Sequence, residues 1–149
     1  KLLGDYHVIK NLTIYSENRT DIGLFREIGE KAKIENLIIE NMCILDAGGY
    51  AGAIAGINYG TIENCCIYKI EIEKTLDISC CYVGAIAGVN ENTGSIINCY
   101  SCGTIEADNI AGGICGSNKG KIIDSITHCK LILKDRTLYN KISDITVTM

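Results

Sequence analysis

A glycine-bounded apolar segment recurs along the chain, and this recurrence constrains the fold more than any other feature. The copies begin at positions 23, 52, 84 and 112, so successive copies lie 29, 32 and 28 residues apart. Each of the last three is followed at a fixed offset by an asparagine, Asn58, Asn90 or Asn118, and then by a glycine. A period of about 20 to 50 residues indicates a solenoid or similar array, in which each unit buries its apolar face against its neighbours. We expect the central residues of the four copies to point inward: Phe25, Ile54, Ile86 and Ile114.

A second element, Ile-x-Asn/Asp followed by an apolar or small residue, occurs six times. In the copy beginning at Ile34, the shared apolar positions are 34, 37 and 39, whereas strand alternation would require 34, 36 and 38. This phase shift predicts a corner, because Asn and Asp tolerate the left-handed backbone region and bond nearby main chain. Coils stacked about 4.8 Å apart would align these side chains in a structural ladder. The predicted ladder residues are Asn11, Asn36, Asn64, Asn98, Asp124 and Asp144.

A third element alternates apolar and polar residues, most clearly in Lys69-Ile70-Glu71-Ile72-Glu73. Alternation with a period of two indicates a half-buried strand. Three short strands per repeat, separated by Gly, Asn and Asp turns, describe a three-stranded coil. The six Ile-x-Asn/Asp copies predict an all-β stack of about five to six coils, with almost no helix.

Composition agrees with a narrow strand-lined interior and excludes several functional classes. Hydrophobic residues make up 47% of the chain, yet it contains one Phe and no Trp or Pro, so β-branched and small residues supply the core. The net charge of −4 and the mixing of Lys with Glu provide no basic surface for nucleic acid. No apolar run approaches the roughly 20 residues of a membrane span, so we expect no membrane insertion in this segment.

The nine cysteines include the adjacent pairs Cys65-Cys66 and Cys80-Cys81 but have no spacing typical of a zinc site. Several stand where other copies carry Leu, Ile, Ala or Ser, which favours core-packed free thiols over a disulfide framework. We expect no metal site and no cofactor.

No catalytic constellation emerges from the sequence. The two histidines, His7 and His128, belong to the first and last coils, so a shared histidine site is not expected. No basic residue lies near Cys80 or Cys81 to activate a thiol nucleophile. The weak ligand-surface candidates are Glu71, Glu73 and Glu106, which could hold a cation or a sugar. A solvated strand face beside Lys69 and Lys74 is the favoured explanation, because any soluble strand needs charged outward residues.

The two clearest copies of the repeat carry a family resemblance. They run from Gly84-Ala85-Ile86-Ala87-Gly88 to Asn98-Cys99-Tyr100, and from Gly52 to Asn64-Cys65-Cys66. At these residues the sequence resembles the GLUG repeat. Residues 112–127 fit with Asp124-Ser125 in place of Asn-Cys, and residues 23–39 form a degenerate copy with Arg26 and Glu27 where Ala and Gly are expected.

The resemblance implies a right-handed parallel β-helix (β-solenoid) and supplies no catalytic residues. It implies a segment of a large secreted or surface-attached bacterial protein of the adhesin-like kind. We therefore expect residues 1–149 to form one β-solenoid domain of a larger multidomain protein, with signal and anchor outside this segment. The expected role is a noncatalytic stalk or an adhesion segment that contacts a host or cell-surface protein or glycan. The alternatives are a glycan-binding or glycan-degrading β-helix and an accessory domain of a secreted peptidase. The sequence leaves the ligand and the oligomeric state open.

Overall fold

A computed structural model describes residues 1–16, 20–45, 47, 49–73, 82–108 and 110–133. Every helix or strand in these ranges is a β-strand. In chain order the strands are β1 (Leu2–Leu3), β2 (Val8–Lys10), β3 (Thr13–Tyr15), β4 (Asp21–Ile22), β5 (Phe25–Ile28), β6 (Lys33–Glu35), β7 (Ile38–Leu45), β8 (Tyr50–Ala51), β9 (Ala55–Asn58), β10 (Thr61–Glu63), β11 (Cys66–Ile72), β12 (Tyr82–Gly84), β13 (Ala87–Asn90), β14 (Ser95–Ile97), β15 (Tyr100–Ala107), β16 (Ile110–Gly112), β17 (Cys115–Asn118), β18 (Lys121–Ile123) and β19 (Ile126–Leu133).

The strands form four parallel sheets, and each turn of the chain adds one level to every sheet. The first sheet contains β1, β6, β10, β14 and β18, and the second contains β7, β11, β15 and β19, with β2 and β3 together on the outer edge of β7. The third contains β4, β8, β12 and β16, and the fourth contains β5, β9, β13 and β17. Every strand pairing is parallel. The predicted all-β parallel solenoid is therefore confirmed.

Equivalent residues of successive turns stand in register and fill the interior in columns. In the first sheet one such column is Leu2, Ile34, Ile62, Ile96 and Ile122. Its three middle members are buried. Stiff β-branched side chains pack well on a pleated surface, and stacking like on like keeps the interior filled as turns are added.

The glycine-bounded segments, predicted as one strand per coil, are bends between two strands. In the second turn β8 ends at Ala51 and β9 begins at Ala55. A Cβ atom on Gly52 would lie within 2.5 Å of the Cα atom of Ala87 in the next turn. Because glycine leaves space for this close approach of two backbones, the chain bends here, and a turn has four strands rather than the predicted three.

The number of turns also differs from the prediction of five to six coils. The described residues form four complete turns, and β18 and β19 begin a fifth. Two of the six Ile-x-Asn/Asp copies account for the difference. The copy at Ile9 lies within the first turn, paired with Ile39, and the copy at Ile142 lies outside the described residues.

The inward placement predicted for the bends holds in three of the four copies. Ile54, Ile86 and Ile114 are buried. Phe25 is half-buried against the core and pairs with Ala55 rather than Ile54. Two residues separate Ile22 from Phe25, whereas three separate their partners Ala51 and Ala55 in the second turn. The described part of the chain contains no helix with the length and apolar character needed to cross a membrane.

Candidate functional site

The corner between the first and second sheets is built on a column of asparagines. Asn36, Asn64, Asn98 and Asp124 follow equivalent strands, and all have a positive φ, between 49° and 57°. Asn64 donates from Nδ2 to Oδ1 of Asn36 at 3.1 Å, and Asn98 donates in the same way to Asn64 at 2.7 Å. The column thus turns the chain and links neighbouring turns, as a structural corner ladder requires. Asp144, predicted as a further member, lies outside the described residues.

Asn11 was predicted in this corner ladder, but the structure places it elsewhere. It stands beside Asn41 in the second sheet, and Nδ2 of Asn41 donates to its Oδ1 at 2.6 Å. The column continues through Lys69, and all three residues have a φ of 56° or 57°. The prediction was wrong because the Ile-x-Asn pattern also marks this second left-handed kink, where β11 is bulged relative to β15.

A second asparagine ladder lies inside the stack. The sequence marks these residues by their fixed offset from the glycine segments, but that offset alone does not identify a role. Nδ2 of Asn58 donates to Oδ1 of Asn90, and Nδ2 of Asn90 donates to Oδ1 of Asn118, both at 2.8 Å. Asn58 and Asn90 are buried. In the first turn the equivalent position is occupied by Ile28, whose apolar side chain needs no hydrogen-bond partner.

The three glutamates proposed as a ligand surface lie in or next to two neighbouring strands of the second sheet, β11 and β15. Glu71 is exposed and pairs with Cys43 on one side and Thr104 on the other. Glu106 follows Ile105, which pairs with Ile72, so Glu106 is level with Glu73 and not with Glu71. Within the described residues, no group of three or more His, Cys, Asp and Glu side chains is placed to hold a metal ion.

The outer face of the second sheet carries a cluster that we call the Tyr–Cys patch: Cys66, Tyr68, Tyr100, Cys102 and His128. Cys66 pairs with Tyr100, and Cys102 pairs with His128. The aromatic rings lie diagonally across β11, β15 and β19. The Tyr68 and Tyr100 centroids are 5.5 Å apart, and those of Tyr100 and His128 are 5.8 Å apart. Tyr68 is 41% exposed. The patch combines aromatic surface, hydroxyl groups and thiols on a flat sheet.

Thiol contacts perturb both tyrosines of the patch. The hydrogen bond with the Cys66 side chain raises the pKa of Tyr68, and that with Cys102 raises the pKa of Tyr100. Both phenols are therefore neutral at physiological pH and retain their hydroxyl protons for hydrogen bonding. Sequence reasoning missed this patch, because Tyr68 and Tyr100 occupy different positions in their repeats and become neighbours only through the register of β11 and β15.

The cysteines have different environments in the described part of the chain, where no disulfide bond is present. Cys65, Cys99 and Cys115 are buried, and Cys43, Cys66, Cys102 and Cys129 are half-buried. Desolvation, followed by the charges of Glu71 and Glu73, raises the pKa of the Cys43 thiol. Cys80 and Cys81, weighed as nucleophiles, lie outside the described residues.

Comparison with known proteins identifies the repeat. The GLUG motif matches residues 79–106, which include the copy beginning at Gly84. A stretch of 61 residues, 41% of this chain, is 34% identical to halomucin of Haloquadratum walsbyi (strain DSM 16790 / HBSQ001). That stretch covers 1% of halomucin. No solved structure matches the chain. The chain is therefore a parallel β-solenoid that carries a GLUG motif.

Proposed function

We propose that this chain is a noncatalytic repeat segment of a secreted or surface-attached bacterial protein, in which it acts as a stiff spacer. One observation carries the proposal: equivalent residues of successive turns, such as Ile34, Ile62 and Ile96, stand in register along the stack. Each turn contacts only its neighbours, so length grows by about 4.8 Å per turn without a larger core. The described turns therefore supply a rise of roughly 20 Å.

Two comparisons support this proposal. GLUG repeats are expected in large secreted or surface-attached proteins, and residues 79–106 match that motif. The likeness to halomucin covers a hundredth of that protein, which suits a segment of a very long chain. We infer that the signal and the anchor belong to other parts of the full protein.

Location is tested on intact cells that make the full-length protein. An antibody against this segment should label unpermeabilised cells or the culture medium, and protease added outside the cells should remove the cell-bound signal. Labelling that appears only after permeabilisation would contradict the proposal. A cytoplasmic control protein shows that the cells are intact.

The absence of catalysis is tested with a panel of glycans and peptides. We expect no hydrolysis or elimination product from the purified chain. Turnover that disappears in Glu71→Gln or Glu106→Gln would instead support the alternative of a glycan-degrading β-helix, since carboxylates are the usual acid–base groups of such enzymes.

A second candidate role, glycan binding, is favoured by the Tyr–Cys patch. Tyr68 and His128 are exposed on a flat sheet. Glu71 and Lys130 flank them in the column that passes through Thr104. Aromatic rings pack against the C–H faces of sugars. The carboxylate of Glu71 and the ammonium group of Lys130 can accept and donate hydrogen bonds to the hydroxyl groups of a neutral saccharide.

Binding is tested on an array of neutral and acidic glycans. The Tyr68→Ala variant should lose most of the binding signal for a neutral glycan, whereas the Tyr82→Ala variant should retain it. Tyr82 is a matched control, because its ring also lies 5.5 Å from a tyrosine in the neighbouring turn, Tyr50, but on the third sheet. Equal loss in both variants would contradict a site at the patch.

A further inference from the structure

Two buried cysteines occupy neighbouring levels of one interior column. Each follows a corner asparagine, so that Cys65 comes after Asn64 and Cys99 after Asn98. The next residues, Cys66 and Tyr100, are partners in the parallel ladder, and the backbone N–H of Tyr100 donates to the carbonyl oxygen of Cys65 at 2.9 Å. Cys65 and Cys99 therefore stand side by side in the third and fourth turns.

Main-chain contacts fix the position of both sulfurs. Each sulfur contacts the main chain of its own corner, and Sγ of Cys99 also lies 3.7 Å from the carbonyl oxygen of Ile62 in the neighbouring turn. Sγ of Cys65 lies 3.3 Å from the carbonyl oxygen of Glu63, and Sγ of Cys99 lies 3.2 Å from that of Ile97. Cys65 is 0% exposed and Cys99 is 3% exposed. Both sulfurs are thus held in place and shielded from bulk solvent.

This arrangement suits a covalent bond between turns. Adjacent strands of a sheet lie about 4.8 Å apart, and disulfide bonds join Cα atoms separated by about 4.4 to 6.8 Å. The outward pair Cys66 and Cys102 fits less well, because these residues are diagonal across β11 and β15 and a bulge lies between them. Diagonal neighbours in a sheet are about 7 to 8 Å apart.

We propose that Cys65 and Cys99 are an oxidation site at which a small peroxide joins the third turn of the solenoid to the fourth by a disulfide bond. This inference is independent of the proposed spacer function. Burial excludes bulky oxidants, so the oxidant is a molecule of the size of hydrogen peroxide. The outcome is one covalent link across the stack between residues 65 and 99.

The reaction balances with hydrogen peroxide as the oxidant. The Cys65 thiolate attacks one peroxide oxygen, the O–O bond breaks, and the released hydroxide takes up a proton to form water. The Cys99 sulfur then attacks the sulfur of the Cys65 sulfenic acid, the S–O bond breaks, and the oxygen leaves as a second water with the Cys99 proton. Two thiols lose two electrons, and one peroxide is reduced to two waters.

The electrostatics of the pair match these roles. The hydrogen bond from the Cys99 side chain lowers the pKa of Cys65, and the same contact, together with burial, raises the pKa of Cys99. Cys65 is therefore the better thiolate and first nucleophile, while Cys99 keeps its proton until it resolves the sulfenic acid.

The experiment exposes the native chain to hydrogen peroxide, blocks remaining thiols under denaturing conditions, and maps the non-reduced digest by tandem mass spectrometry. We expect a Cys65–Cys99 crosslink with a loss of about 2 Da. The thermal midpoint should rise by about 5 °C, since the crosslink closes a loop in the unfolded chain, and reduction should reverse both changes.

The chain offers a matched control for the fold. The same column carries Ser125 in the next turn, where its hydroxyl accepts from the backbone N–H of Cys99 at 3.1 Å, so Cys99→Ser should fold and lose the crosslink. The Cys66→Ser/Cys102→Ser double variant should keep it. Sulfinic or sulfonic acid at Cys65 without a crosslink, crosslinks confined to other cysteines, or two thiols that stay reduced would each overturn the proposal.

Discussion

Individual asparagine side chains join the turns of this solenoid. Asn90 is the centre of the interior ladder, since it accepts from Asn58 and donates to Asn118 at 2.8 Å in each case. It also donates to the carbonyl oxygen of Lys121 at 3.2 Å. A buried amide with this set of partners stabilises only while all of them are present, because an orphaned partner loses its hydrogen bond without regaining water.

The Asn90→Ala variant tests this dependence. We expect the free energy of unfolding to fall by about 1 to 3 kcal/mol, because the buried side chain of Asn58 and the half-buried side chain of Asn118 each lose a partner. Urea unfolding gives the value. The control is Asn98→Gly at the exposed corner, which keeps a left-handed backbone and should cost less than about 1 kcal/mol. A greater loss at the corner than in the interior would contradict this assignment.

Ion pairs on the first sheet give the stability a dependence on acid pH. Hydrogen bonds from Lys1 and Lys33 lower the pKa of Glu35 below its ordinary value of 4.5; both N–O distances are 2.6 Å. The stabilisation is therefore present at pH values above about 4.5 and is lost as the pH falls through the lower, folded-state pKa.

Unfolding followed between about pH 6 and pH 2 should show this loss, and Glu35→Gln should make the profile flatter. The Glu71→Gln variant, which changes an exposed glutamate on the second sheet, should keep the steeper wild-type profile. Identical profiles for wild type and Glu35→Gln would show that these ion pairs contribute nothing measurable.

At the scale of elements, the bends between the third and fourth sheets decide how closely turns stack. A Cβ atom on Gly84 would contact the carbonyl oxygen of Ala87 and the Cα atom of Cys115 in the next turn. Both obstacles belong to the backbone, so a side chain there forces two turns apart. Gly29 is different, because a Cβ atom placed on it meets nothing within 4 Å.

We therefore expect Gly84→Ala to lower the free energy of unfolding by about 1 to 3 kcal/mol through overpacking. Gly29→Ala should be neutral or raise stability by up to about 1 kcal/mol, by restricting the unfolded chain. Thermal and urea unfolding of both variants provide the comparison. Equal effects of the two substitutions would contradict the claim that limited space between turns requires glycine at position 84.

These bends also show what the sequence could and could not predict. Repeat spacing predicted stacked turns, and the phase shift at Asn36 predicted a corner, because both depend on local pattern. The division of the Gly52 segment into two strands depends on the approach of Ala87 from the next turn. Similarly, the Tyr68–Tyr100 contact depends on a register that includes a bulge. Contacts between turns follow from register, which the pattern of a single turn does not contain.

At the scale of the whole molecule, the first turn differs from the interior turns in its strand pairing. Among the described residues its strands pair with the second turn only, and Leu3 and Tyr6 there are 54% and 60% exposed. Interior turns pair on both sides, so opening them breaks twice as many backbone contacts. Stability should therefore increase from the first turn towards the middle of the stack.

Amide hydrogen exchange followed by mass spectrometry measures this gradient. Peptides covering β2 to β5 should exchange at least about tenfold faster than those covering β9 to β11, since a difference of 1.4 kcal/mol in opening free energy is tenfold in exchange. Exchange in D₂O at constant pH suffices. A single rate for all turns would indicate that the solenoid opens only as one cooperative unit.

The two asparagine ladders carry their amide hydrogens in opposite directions along the stack. At the corner the later residue donates to the earlier one, as from Asn98 to Asn64, whereas in the interior the earlier donates to the later, as from Asn90 to Asn118. Asp124 has no amide hydrogen, so it can only receive at the corner. To continue both ladders, a further turn would need an acceptor oxygen next to Asn118 in the interior ladder and a hydrogen-bond donor next to Asp124 at the corner. The two ends of the stack therefore differ in the hydrogen-bonding groups that they present. A repeat unit joined in the reversed orientation would place donor against donor and acceptor against acceptor.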